Sequence, residues 1–434
     1  MSGIEKQEKL DIKLTFCIGF ASLAIQTSWA LYDSQVPISL FFYIGSIALV
    51  GLIMGIDNLV GVLVQPVMAN VSDNTRTKWG RRMPYVILGI PISAIFFALI
   101  SFETSLFTLL FFIFCYVAAM AFYRAQSTIL LADFIQPQHR SKANSLINIM
   151  NAISIIIAAV ISLLLVDISL QLAFITVSVL MIVSLIVLIL TVNENDAYSY
   201  QLIIQMEEES GTKIKQERDK ISLADSFKDV MAEKDKSTIF MLFAIFFIGV
   251  GWAALNTLLS SYGVIVLSLT RGQAGGLIIY GAIAFLITAY PLAVLAEKYG
   301  RRLFIKIGLF VFTSCLIIGF FFQTLLILSI LIAIMGIAYA CVIVNTLVII
   351  WGLTPSEKKI GTYTGLYYVF MFSAEIFGPG LVGLLTDITG WEYFLLNAAV
   401  VLIIALILMC FVKREEAELT DKERLAKKKA FEEL

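Results

Sequence analysis

Hydrophobic residues in this chain neither alternate nor return every third or fourth position. They come in unbroken runs of about 20, the length an α-helix needs to cross the hydrocarbon core of a bilayer. Breakers and charges separate twelve such segments, at 14–38, 45–72, 83–103, 106–133, 143–165, 171–192, 238–262, 272–296, 303–323, 326–352, 360–386 and 391–412. A polar stretch of mixed charge, Asn193 to Lys236, divides them six and six. The pattern predicts an all-α integral membrane protein: one bundle within residues 1–192, a linker at 193–237, a second bundle at 238–412 and a charged tail at 413–434. Around Leu202 to Lys220 the linker is expected to hold an amphipathic helix lying on the surface.

Charge changes this picture by giving it an orientation. Lys6, Lys9 and Lys13 precede segment 1, and Arg76, Lys78, Arg81 and Arg82 follow segment 2. Basic residues also follow segments 4, 8, 10 and 12, whereas the alternate loops hold Glu103, Asp167, Asp387 and Glu392 against a single Arg271. The excess of Lys and Arg in one set of loops places those loops, and both termini, in the cytoplasm of a cell whose plasma membrane the chain crosses. A net charge of −1 with no basic stripe argues against a nucleic-acid partner. The five cysteines all lie in apolar runs, as small buried hydrophobes do, and the single His139 excludes a multi-histidine metal site. No phosphate-binding GxxxxGK[ST] element, GxSxG elbow or HExxH pair occurs, so neither ATP hydrolysis nor hydrolase chemistry is expected. The partners expected are the bilayer and a small molecule, with the chain acting as a monomer and without a resident cofactor.

The two halves repeat one feature. Segments 2 and 3 are joined through Asp73 and then Gly80, Arg81 and Arg82; segments 8 and 9 are joined through Glu297 and then Gly300, Arg301 and Arg302. The offset from Gly80 to Gly300 is about half the chain, which reads as an internal duplication. Asp73 is expected to accept hydrogen bonds from a helix N-terminus or to pair with Arg81, and Glu297 to act likewise with Arg301 and Arg302. Such bonds would bias a two-state equilibrium without touching substrate.

Ser-Asp-x-x-x-Thr-x-x-Gly-Arg-Arg at Ser72–Arg82 resembles the loop signature of the major facilitator superfamily. Leu63-Val64-Gln65-Pro66 ahead of Ser72-Asp73, followed by Trp79-Gly80-Arg81-Arg82-Met83-Pro84, is closer to the sucrose-type transporters and the related glycoside–pentoside–hexuronide cation symporters. Arg124, Leu130-Leu131-Ala132-Asp133, Tyr367-Tyr368 and Gly378-Pro379 fit the same branch, while Asn74 stands where it commonly has Arg. The resemblance implies two pseudo-symmetric six-helix bundles, alternating access to a central polar cavity, and sugar uptake coupled to a cation, H⁺ or else Na⁺.

Polar side chains inside apolar segments need a reason, because a charge at mid-bilayer costs at least ~2.5 kcal/mol. Asp57 lies mid-segment 2 with Gly61 and Gln65 on the same face, and reads as a protonatable coupling site that also accepts from sugar hydroxyls. Arg124 reads as a fork donor to hydroxyls or a counter-charge to an acid. By helical rise it lies roughly 29 Å from the outer end against roughly 18 Å for Asp57, a gap that is large for direct contact. In segment 1, Ser22, Gln26, Trp29 and Asp33 share a face, with Tyr32 and Gln35 beside it; Trp29 offers a plane for a sugar ring or sits in the interfacial belt, and Asp33 is expected to be a solvated acid near the outer end. Glu375 is the only acid deep in the second half and a candidate for coupling or gating. Asn144, Asn148 and Asn151 share a face of segment 5, and Trp252 and Asn256 a face of segment 7; asparagines of this kind line cavities or join helices.

These residues suit a cation-coupled sugar importer, for a disaccharide or glycoside such as sucrose or maltose. The alternative is a proton-driven exporter of amphipathic compounds, which would want a less polar cavity.

Overall fold

The computed structural model describes residues 11–135, 140–210, 230–231, 236–354 and 360–415. Outside them lie the N-terminal lysines Lys6 and Lys9, His139, Lys358 and Lys359, the far end of the amphipathic stretch toward Lys220, the tail beyond Glu415 and the side chain of Asn144.

Among the described residues twelve helices are long and apolar enough to cross a membrane. In the first half they are α1 (Ile12–Ile44), α2 (Ile47–Asp73), α3 (Met83–Ile100), α4 (Leu106–Phe134), α5 (Arg140–Ile161) and α6 (Leu170–Thr191). In the second half they are α7 (Ser237–Ile265), α8 (Arg271–Gly276 and Ile278–Tyr299), α9 (Arg301–Phe321), α10 (Leu325–Leu353), α11 (Ile360–Thr389) and α12 (Phe394–Phe411). A helix over Tyr198–Ser210 begins the linker. The spanning helices carry apolar residues around most of their circumference, as helices surrounded by lipid and by one another must.

The largest departure from expectation is α1, which runs through Pro37 to Ile44. Only Gly45, at φ +72°, ends it, donating its backbone N–H to the Phe41 carbonyl. Proline removes one donor, but the local backbone is buried among neighbouring helices, where this is tolerated. The fifth segment is continuous past Ile161 as a π-helical turn, Ser162–Val166. Capping sets several starts: Ser46 accepts from Leu49 N, Ser105 from Thr108 N and Ser169 from Leu172 N.

Helices α1 to α6 pack as one group and α7 to α12 as a second. The groups meet mainly along α2 against α11, α1 against α7 and α5 against α8. Small residues allow these contacts to be close. A Cβ on Gly55 would lie 2.0 Å from the Ile376 carbonyl oxygen, and one on Gly51 2.4 Å from that of Pro379. Both Gly-Arg-Arg loops lie at one face of the molecule, the basic face. At the opposite face the bundles are closed against each other: Arg271 donates from Nη2 to the Gln35 carbonyl at 2.9 Å and to Ser39 Oγ at 3.0 Å, and Phe41 packs edge-on against Trp391 at 5.3 Å.

Candidate substrate site and the Gly-Arg-Arg loops

The polar residues of α1, α2, α4, α7 and α11 converge between the bundles. Asp33 is buried, 8% exposed, and accepts a hydrogen bond from Asn256 Nδ2 at 2.9 Å, joining α1 to α7 across the two halves. The expected solvated acid is therefore a buried one, because α1 continues past the predicted end and carries Asp33 deeper. Arg124 lies over the Trp29 indole at 4.7 Å, a cation–π contact between α4 and α1. Asp57 is also buried, 4% exposed, and accepts from the backbone N–H of Asn58 at 2.5 Å.

Glu375 on α11 is half-buried. Asp33, Asp57, Glu375 and Arg124 lie close enough to act on one another electrostatically. The gap counted along the helices between Arg124 and Asp57 is thus bridged in charge, although not by a direct ion pair.

Around this cluster, Tyr32 stacks obliquely on Tyr116 at 5.4 Å, and Tyr116 donates to Ser28 Oγ at 3.0 Å. In the second half Trp252 of α7 lies flat on Tyr339 of α10, centroids 3.7 Å apart, while Tyr368 stacks on Phe372. The site thus presents indole planes from both bundles, acceptors from Asp33 and Asp57, and donors from Arg124 and Asn256.

The other candidates divide. Asn151 accepts from Ser22 Oγ at 2.6 Å and so joins α5 to α1. Gln26 is half-buried and Asn148 exposed, and neither makes a hydrogen bond among the described residues. Gln65 folds back over Gly61, where a Cβ would lie 2.8 Å from Gln65 Nε2.

At the basic face the pairing differs from expectation. Arg82, not Arg81, pairs with Asp73, and it also donates from Nε to Asp133 Oδ2 at 3.1 Å. Arg81 forks onto the same carboxylate, Nη2 to Asp133 Oδ1 at 2.6 Å and Nε to Oδ2 at 3.2 Å. Asp133 ends α4, so the two arginines tie the α2–α3 loop to that helix. All four side chains are buried, and all belong to the first bundle.

Glu194, just beyond α6, accepts from the backbone N–H groups of Arg82 and Met83, each at 2.8 Å, and so caps α3. Burial pushes the Glu194 carboxyl above its usual range, and the N–H groups of Met83, Arg82 and Arg81 pull it back. Gly80 sits at φ +95° with Glu194 where a Cβ would be, which explains the glycine.

The second half repeats the device. Glu415, just beyond α12, accepts from Arg301 N at 3.2 Å and Arg302 N at 2.9 Å beside Gly300 at φ +104°. The expected role of Glu297 is thus taken by Glu415; Glu297 is exposed and forms no ion pair among the described residues. Arg76 forks onto Glu207 of the linker helix, Nη2 to Oε1 at 2.7 Å. Glu194 and Glu415 carry no sequence signal beyond following an apolar run, whereas Asp133 closes the Leu130-Leu131-Ala132-Asp133 stretch.

The model of the Major Facilitator Superfamily matches residues 18–286 and 241–433, and the chain belongs to that family. Among solved structures it is similar to the nucleoside transporter NupG (TM-score 0.68, 14% identity, 93% of this chain and 100% of that one). It is also similar to a bacterial homologue of the human lysosomal transporter Spinster in an inward-facing, occupied conformation (TM-score 0.67, 15% identity, 92% and 94%). Likenesses at such identity speak for the fold. A lactose permease of Lactobacillus helveticus is 41% identical over 49 residues, a stretch that is 11% of this chain and 8% of that relative.

Proposed function

We propose that the chain is a cation-coupled sugar symporter of the sucrose-type or glycoside–pentoside–hexuronide branch, working by alternating access as a monomer in the plasma membrane. The basic face and both termini are cytoplasmic in this reading, which the distribution of Lys and Arg supports. The observation that carries it is the cluster of Asp33, Asp57 and Glu375 around the single cation Arg124. Burying an excess of carboxylates in a membrane protein is costly unless a proton or metal cation accompanies them, which supports a coupling ion. H⁺ is the favoured ion and Na⁺ the second choice. Trp29 and Trp252 supply planes for the C–H faces of sugar rings, and Arg124, Asn256 and Asp33 supply partners for hydroxyls. The disaccharide named in the short lactose permease match supports the choice of substrate class.

The test is uptake of radiolabelled sucrose, maltose and lactose into proteoliposomes with and without an inside-alkaline pH gradient, wild type beside Asp57→Asn. Gradient-driven accumulation that Asp57→Asn abolishes is the expected result. Failure to take up any of the three under H⁺ or Na⁺ gradients would sink the disaccharide reading and favour the amphipathic-compound exporter.

A further inference from the structure

The closed face opposite the Gly-Arg-Arg loops is held by two carboxylates that occupy equivalent places in the repeat. Asp167, at the end of the π turn that follows α5, accepts from Thr270 Oγ1 at 2.5 Å and from Gly272 N at 2.8 Å. Thr270 is the capping residue of α8, in the other bundle. Asp387, near the end of α11, accepts from Ser46 Oγ at 2.7 Å, Ile47 N at 2.7 Å and Ala48 N at 2.9 Å. Ser46 is the capping residue of α2, again in the other bundle. Asp167 and Asp387 are 220 residues apart, as are Gly80 and Gly300. Each bundle therefore extends one acid from its fifth helix into the start of the second helix of its partner.

We infer that Asp167 and Asp387 are paired positioning residues that set the balance between closed and open states of this face. In both places the carboxylate accepts from the capping hydroxyl and from backbone N–H at a helix start, one at Asp167 and two at Asp387, an arrangement that favours negative charge. Opening the face breaks both sets of bonds together, since α2 moves from α11 and α8 from α5 when the bundles separate. Loss of both sets shifts the equilibrium toward the open face by roughly tenfold or more. The duplication makes the two latches interchangeable in kind: either alone gives part of the effect. The inference rests on the transporter reading of the cavity only in taking the bundles to separate at this face. It needs neither the sugar nor the coupling ion.

The test uses the full chain purified in detergent, with its five native cysteines replaced by alanine and Ser34→Cys as reporter. Ser34 is buried at the interface, with its hydroxyl 3.3 Å from where a Cβ on Gly275 of α8 would lie. The readout is the rate of maleimide labelling, with a melting curve taken on each sample. Asp167→Asn and Asp387→Asn are each expected to speed labelling, and the double variant to speed it about tenfold or more while melting as a single transition. Asp→Glu at both positions should restore slow labelling. Ser46→Ala with Thr270→Val, which leaves both carboxylates in place, should raise the rate in the same direction by less, and it decides the matter if the double Asn variant does not fold. Labelling rates unchanged in folded variants of both kinds would overturn the inference. Because no substrate is present, that outcome is separate from any failure of the sugar reading.

Discussion

Asp33 shows how much a single residue's role depends on where its helix ends. Counted from a segment ending at 38 it lies a turn and a half from the water. Counted from the observed end at Ile44 it lies eleven residues in, roughly 16 Å by the helical rise. At that depth an acid needs a partner, and Asn256 provides one from the other bundle. Asp33→Ala and Asn256→Ala are each expected to raise the half-saturation concentration for transported sugar about tenfold, and the double variant by little more than either single. A double-mutant cycle checks this, with a coupling energy of about 1 kcal/mol or more expected for a contacting pair. Additive losses would separate the two residues. Trp29→Ala removes the plane beneath Arg124 and is expected to weaken binding more than Trp29→Phe, which keeps part of the cation–π contact. Substrate-dependent quenching or direct calorimetry reads the difference. Asp57, Arg124 and Glu375 stand out in the sequence because a charge in an apolar run needs a reason. Asp33 stands out too, but a segment ending at 38 sets it too close to the water, because α1 continues through Pro37 to Ile44.

At the level of elements, the basic-face loops are held by acids that no local pattern announces. Glu194 reaches back 112 residues to Arg82, and Asp133 reaches back 51. Such partnerships are tertiary, so adjacent residues show the Gly-Arg-Arg repeat but not that Arg82 takes Asp73 while Arg81 takes Asp133. The mechanical consequence is specific. Arg82→Ala removes the ion pairs that link the buried Asp73 and Asp133, while Arg81 still forks onto Asp133, so a cost at or below the about 3–5 kcal/mol of a broken buried pair is expected. Folded yield by size-exclusion chromatography is expected to fall sharply, whereas Arg302→Ala on the more open second-half loop should be tolerated. Glu194→Ala strips the cap from α3 and is expected to lower stability by about 1–3 kcal/mol, with Glu194→Gln in between. Thermal melting in detergent separates the three, and equal melting of all of them would remove Glu194 from this role.

On the scale of the whole molecule, the sequence carries its own symmetry, and the structure uses it twice. The duplicated Gly-Arg-Arg loops with Glu194 and Glu415 stiffen each bundle at one face, and Asp167 and Asp387 join the bundles at the other. Twelve helices, their order and the division into halves could be read from apolar length and charge alone, since a bilayer permits few alternatives. The conformation could not be read that way, because closure depends on contacts between α2 and α11 that only three dimensions bring together. Gly55 is the narrowest of these. Gly55→Val would push a side chain into the Ile376 carbonyl, so it is expected to hold that face apart, abolish net transport and leave the protein folded. Transport at wild-type rate in Gly55→Val would mean that α2 and α11 need not approach so closely.

The central claim is that the buried acids carry a cation with the sugar. It is tested most directly by adding lactose, sucrose or maltose to lightly buffered proteoliposomes with no imposed gradient and following external pH. Symport with H⁺ predicts alkalinisation outside, in fixed proportion to sugar entry, and its absence in Asp57→Asn. Sugar entry accompanied by movement of neither H⁺ nor Na⁺ would contradict it.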